Sequence, residues 1–187
     1  MAEAPKIANL DARGLRVLAH PARIELVQLL RRHGASTATR LAELMGVNSG
    51  TASYHLRQLA AAGFVEEDTT KGNGRDRWWR AVYQQTVLDD LDLVETEVDD
   101  AVAYLQSVAT NHAMNTQRAL NELLTMSKAW RDVFDMSQYP LRLTVEQAGR
   151  LRDELQAVVA QYPRDDPEQP GEGERVRVLI YVNPELP

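Results

Sequence analysis

The chain has 187 residues, 44% of them hydrophobic, with no cysteine and a net charge of −6. That is enough for one medium domain or two small ones with a real core, and it excludes a disulfide scaffold, a thiolate metal site and a thiol nucleophile. No apolar run approaches the roughly 18 residues of a membrane span, and the opening MAEAPKIANLDARGL lacks the apolar stretch of a signal peptide, so a soluble, cytoplasmic chain is expected.

Residues 9–19 predict a short helix, with Leu10, Val17 and Leu18 on one side and Gly14 as a weak point. Pro21 fits the first turn of a second helix, where its missing N–H costs nothing. Ile24, Val27 and Leu30, widened by Leu26 and Leu29, give that helix an apolar face up to Gly34. Ser36 or Thr37 can cap a third helix, with Leu41, Leu44 and Met45 inward and Gly46 at its end. Asn48 or Ser49 can cap a fourth, with Ala52, Leu56 and Leu59 inward and Gly63 closing it. The period then changes from helical to alternating. Residues 64–70 (FVEEDTT) suit a strand, 71–74 (KGNG) a turn, and 75–82 (RDRWWRAV) a returning strand. The result is a hairpin with a basic, glycine-rich tip.

From about Val87 the pattern is helical again. Leu91, Val94, Val98, Ala101, Leu105 and Val108 are spaced 3-4-3-4-3, a heptad-like row. Leu91, Val94, Val98, Leu105 and Val108 are therefore expected to form a dimer seam. An offset row runs Leu120, Leu123, Ser127, Trp130 and Phe134. The spacing does not decide between one helix and two over residues 87–136, and Thr110–His112 is a candidate kink. Leu141–Leu143 suits a short strand, Thr144 caps a helix to about Gln161, and residues 163–174 form a polar connector. Residues 175–182 alternate, with Val176, Val178, Ile180 and Val182 on one face. A strand here can pair with residues 141–143 or with its own copy in a second chain.

The net charge argues against nucleic acid until the chain is divided. Residues 1–83 hold 12 Lys/Arg and 8 Asp/Glu, a net of +4, and residues 84–187 hold 9 and 19, a net of −10. Such an asymmetry points toward nucleic acid. Three helices followed by a hairpin is the order of a winged helix-turn-helix. Residues 37–46 would be the first helix of the pair, Gly46–Val47 the turn, and 48–62 the reading helix. DNA reading needs a rigid inner face and a small, polar outer face. Here the outer face is Ser49, Gly50, Thr51, Ser53, Tyr54 and Arg57. Small residues at the helix start let the backbone approach DNA, and the N–H groups there favour a phosphate. Arg57 can reach a phosphate or a guanine edge, and Tyr54 a thymine methyl or a sugar. Lys71, Arg75 and Arg77 on the hairpin suit a phosphate strand or a minor groove.

LRVLAHPARIELVQLL, then TRLAELMGVNSGTASYHLRQLAAAGFVEE, then GRDRWWRAV, covering residues 10–83, resembles the ArsR-type winged-helix transcription regulators. The resemblance implies a homodimer that binds an operator, usually represses, and changes its DNA affinity with a ligand. Metal-sensing members carry cysteines near the first helix of the pair or Asp/His sets after the wing. This chain has no cysteine. Asp99 and His112 have a separation similar to two such ligands, but Ala101 and Asn115 hold the other two places. No metal and no cofactor are expected. The C-terminal hundred or so residues resemble a longer branch of the family.

The expected fold is mainly α with a small β component. A winged helix-turn-helix DNA-binding domain (1–83) precedes a helical dimerisation and effector region (84–187) that ends in a short strand. The expected function is a DNA-binding regulator, a repressor acting as a homodimer on double-stranded DNA. Two alternatives fit the same elements. One is a winged-helix protein-interaction module. The other is a small-molecule-sensing regulator with a pocket among the C-terminal helices, where Met126, Trp130, Phe134 and Met136 fall, although such a stripe also suits plain core. His55 is expected to be structural, His20 a turn residue, and Arg80 a surface residue. Trp78 and Trp79 should face opposite sides of their strand. The seven carboxylates from Asp89 to Asp100 read as a solvated face. There is no phosphate loop, no GxSxG and no histidine pair at ligand spacing, so no enzyme activity is expected.

Overall fold

Asp11 starts the first helix: its carboxylate accepts the Gly14 N–H at 2.7 Å, and α1 runs Ala12–Leu18. The computed structural model describes residues 6–71, 76–163, 165 and 171–185, and for Leu91 the backbone alone. A Cβ on Gly14 would come within 2.9 Å of Leu10 and 3.2 Å of Phe64, so the weak point of this helix is a site of close packing. His20 caps α2 (Pro21–His33) by accepting the Ala22 N–H at 3.2 Å, with Pro21 at the first helical position. Thr37 caps α3 (Ala38–Met45), which ends on Gly46 in the left-handed region at φ 68°. Asn48 caps α4 (Ser49–Ala61) by accepting the Thr51 N–H at 2.8 Å.

Two small sheets complete this part. β3 (Val65–Glu67) and β4 (Trp78–Ala81) form the expected hairpin, pairing Val65 with Ala81 and Glu67 with Trp79. β2 (Ser36–Thr37) adds to the other edge of β4. β1 (Ile7–Asn9) pairs in parallel with β5 (Gln85–Val87), 78 residues away in register. The core gathers Leu15, Leu26, Leu30, Leu41, Leu56, Leu59 and Val65, each almost fully buried. Trp79 is buried among them and Trp78 is half-buried on the other face of its strand.

The described residues up to Asn115 form one compact unit, and those from Thr116 a second. β5, α5 (Leu91–Thr96) and most of α6 (Val98–Asn121) thus go with the helix-turn-helix. Residues 87–136 carry three helices, the last being α7 (Lys128–Asp132). The candidate kink at Thr110–His112 is continuous helix, and the break falls at Glu97. On the inner face of α6, Ala101, Tyr104, Ser107, Asn111 and Asn115 are buried. The Ser107 hydroxyl donates to the Ala19 carbonyl at 2.9 Å, and Asn115 donates to the side chain of Asn111 at 2.8 Å.

The expected seam is therefore divided. Val94 and Val108 pack against the chain's own core, while Val98 and Leu105 are exposed together with Val102. The heptad reading assumed one uninterrupted helix. The break at Glu97 resets its phase, and polar Ser107 and Asn111 take inward places that the pattern assigns to solvent.

In the second unit, Thr144 and Gln147 form a capping box that starts α8 (Val145–Val159). Neither α7 nor α8 buries a residue. Among the described residues, 141–143 and 175–182 form no strand, so the expected C-terminal strand is absent. Alternation alone brings no hydrogen-bonding partner, and a strand needs one. Trp130 and Met136 are exposed, so among the described residues this stripe forms neither the plain core it suits nor the enclosed pocket of the alternative reading. No helix among the described residues is long and apolar enough to cross a membrane.

Candidate nucleic-acid interface

α4 carries the face expected from sequence to read DNA. Ala52, His55, Leu56 and Leu59 are buried, which fixes the helix against α2 and α3. Ser49, Gly50, Tyr54 and Arg57 are exposed, and Thr51 and Ser53 are half-buried beside them. The six residues named from sequence thus share one accessible side of the helix. Asn48 takes the N–H of Thr51, while no acceptor among the described residues meets the N–H groups of Ser49 and Gly50. Arg57 makes no hydrogen bond or ion pair among the described residues, so its guanidinium is available. At the far end of α4, the Arg13 guanidinium donates to the Ala61 carbonyl. No local pattern signals this tie, because the two residues are 48 apart in sequence.

A second layer supports Tyr54. Its ring meets His55 edge-on at 5.4 Å, and His55 lies against His20 at 4.5 Å. Arg23 donates to His55 Nδ1 at 3.5 Å and to the Val17 carbonyl at 2.9 Å. Burial lowers the pKa of both histidines, and Arg23 lowers them further. His55 is a packing residue under the reading face, and His20 joins it besides capping α2. The sequence suggested each role alone; it did not suggest their contact.

On the hairpin, the Asp68 N–H donates to the Trp78 carbonyl at 2.8 Å, closing the strand pair. Its carboxylate accepts the Thr70 hydroxyl at 2.6 Å, which holds its pKa below the usual carboxylate range. Lys71 is exposed at the tip. Arg77 pairs with Glu67 at 3.1 Å, and Arg80 with Glu66 at 2.8 Å. Arg75 lies outside the described residues. Among the described residues no three His, Asp or Glu side chains come together as a metal site.

These elements define a winged helix-turn-helix protein: a reading helix held by a buried inner face, followed by a hairpin wing. Residues 18–68 match a family model described as a helix-turn-helix domain. Among solved structures, the chain is similar to the homodimeric winged helix-turn-helix DNA-binding domain of a possible ArsR-family transcriptional regulator from Mycobacterium bovis. That match has 27% identity, covers 54% of this chain and 79% of the other, and has a TM-score of 0.34. It is also similar to a possible transcriptional regulator for arsenical resistance, at 28% identity, 69% and 99% coverage and a TM-score of 0.32. A MarR mutant from E. coli complexed with operator DNA matches at 15% identity, 78% and 82% coverage and a TM-score of 0.33. No curated protein matches the chain.

Proposed function

We propose that the protein is an ArsR-like, sequence-specific DNA-binding transcription regulator, a cytoplasmic repressor that acts as a homodimer. The observation that carries this reading is the outward face of α4. There an unpaired Arg57, an exposed Tyr54 and the small residues Ser49 and Gly50 stand on a helix whose other side is fully packed. The basic wing residues Lys71, Arg75 and Arg77 support it as phosphate contacts.

For the dimer, the reading relies on the outer face of α6, where Val98, Val102 and Leu105 are each about half exposed. Two such faces together would remove six branched side chains from water. A dimer must hold its two reading helices about 34–36 Å apart to enter successive major grooves. The acidic half, net −10 against +4 for residues 1–83, would face away from the duplex and suppress loose binding.

Selection of bound sequences from a random DNA pool tests the reading. The expected result is a palindrome with half-sites about one helical turn apart. Recovery of no sequence preference, with affinity set by salt alone, would overturn sequence-specific binding.

A further inference from the structure

Residues 175–182 carry the pattern of a strand without being in a sheet. Val176, Val178, Ile180 and Val182 fall on one face, and Arg175, Arg177, Leu179 and Tyr181 on the other. Among the described residues the segment joins neither of the two sheets. Val176 and Val178 stay 66% and 59% exposed. The segment is bounded at both ends: Gly173 turns the chain at φ 98°, and Pro184 has no N–H for a ladder. The second unit as a whole is uncovered, since none of its described residues is buried. On α8, Ala148, Leu151, Leu155 and Val159 make an apolar stripe at helical spacing that stays partly open to solvent.

The segment is its own best complement. Two copies related by a twofold axis through Leu179 pair antiparallel, with Val176 opposite the partner's Val182 and Val178 opposite the partner's Ile180. Every apolar residue of that face then meets another apolar residue. On the other face Arg177 lies opposite the partner's Tyr181, Arg175 opposite the partner's Asn183, and Leu179 opposite the partner's Leu179. A shift by one residue would mix the two faces. Moving to the next register in either direction sets Val182 against the partner's Glu174 or Val176 against the partner's Pro184. A parallel, in-register pair sets Arg175 and Arg177 each against its own copy, and like charges directly opposite are destabilising. Charge and pattern together select the antiparallel copy centred on Leu179.

We propose that residues 175–183 form an intermolecular antiparallel ribbon with the same residues of a second copy, in the register centred on Leu179. The ribbon presents one apolar face built from Val176, Val178, Ile180 and Val182 of both copies, and the α8 stripes supply the layer that covers it. This pairing rests on the homodimer of the regulator reading, to which it adds a second contact besides the outer face of α6. A two-stranded ribbon is marginal in water by itself, so it closes between copies that are already held together.

The chain has no cysteine, so Leu179→Cys carries a single thiol. In this register it faces its own copy with Cα atoms about 4.5–5.5 Å apart, inside the span of roughly 4.4–6.8 Å that a disulfide bridges. Tyr181→Cys lies on the same face, but its own copy stands four residues further along, about 13 Å away. Mild oxidation of each full-length variant should give a covalent dimer at least about tenfold faster with Leu179→Cys. Equal rates, or a faster Tyr181→Cys, would overturn the proposal. Hydrogen exchange on the unaltered chain tests it without any substitution. Alternate amides of residues 175–182 should be protected at concentrations where the chain sediments as a dimer and should lose that protection on dilution to the monomer. No protection in the dimer overturns the pairing and leaves the homodimer standing. So does protection that persists in the monomer, as pairing with residues 141–143 of the same chain would give. A chain that sediments as a monomer at every concentration overturns both.

Discussion

Arg77 is held 3.1 Å from Glu67 across the two wing strands, and its guanidinium lies over the Trp79 ring at 5.7 Å. The arginine that the sequence offered to DNA is thus parked on the protein. An exposed pair of this kind contributes about 0–1 kcal/mol, so a phosphate can compete for it. Glu67→Gln should release Arg77, tighten DNA binding severalfold and steepen its salt dependence by about one counterion. Lys71→Ala with Arg75→Ala should lower affinity on every sequence and flatten the slope. Binding measured across a salt series checks both, and an unchanged slope in both would mean that the wing does not touch phosphate.

Arg57 differs from Arg77 in having no hydrogen-bond or ion-pair partner among the described residues. Arg57→Ala should weaken operator binding by roughly 1–3 kcal/mol and relax the preference at one position of each half-site. Thermal stability should not change, because the side chain is exposed and unpaired. Fluorescence anisotropy on matched and mismatched operators reads the effect. Equal losses on both would make it a phosphate contact rather than a base contact.

The division of the expected seam makes two of its valines distinguishable. Val98→Asp should dissociate the proposed dimer and leave the fold intact, since Val98 is 53% exposed on the outer face of α6. Val108→Asp should instead destabilise the chain by a few kcal/mol, because it puts an unpaired charge against the core. Light scattering and urea unfolding on the two variants separate the effects. A dimeric Val98→Asp would move the interface elsewhere.

The His20–His55 pair gives stability a pH dependence of known sign. Both folded-state pKa values lie below the ordinary 6.5, by burial first and then by Arg23 and, for His55, by His20. The unfolded chain therefore takes up protons first as pH falls. The neutral pair is fully compatible with folding above about pH 6.5, and stability declines as pH drops through that value toward the folded pKa. The urea midpoint should be lower at about pH 5.5 than at about pH 7.5. His20→Gln should reduce the difference, and an identical pH dependence in that variant would remove the pair as its source.

What could be read without coordinates was local. Asn48 as a cap, Gly46 as a left-handed stop and the inward row Ala52, Leu56 and Leu59 follow from neighbours a few residues away, and the outward face of α4 follows from them. Thr144 as a cap was legible for the same reason, while its reciprocal partner Gln147 was not singled out. Contacts between distant residues were not. Nothing near Ile7 indicates that it will pair with Gln85, and nothing near Arg13 points to Ala61. Apolar periodicity misled where polar groups are buried: Ser107 and Asn111 satisfy hydrogen bonds on the inner side of α6, so the valines and leucines around them divide between two faces.

The parallel pairing of β1 with β5 orders the events of folding. The first strand is made 78 residues before its partner, which is complete only when the chain has reached Val87. Arg31 waits equally long for Thr86. Pairings between such distant segments form slowly, because the loop between them must close first. The core of α1–α4 can collapse while the ribosome is still adding the wing, and the edge strand docks last. A chain stopped after Tyr83 would keep the reading helix but leave Ile7–Asn9 as an open strand edge, the kind of edge through which proteins aggregate.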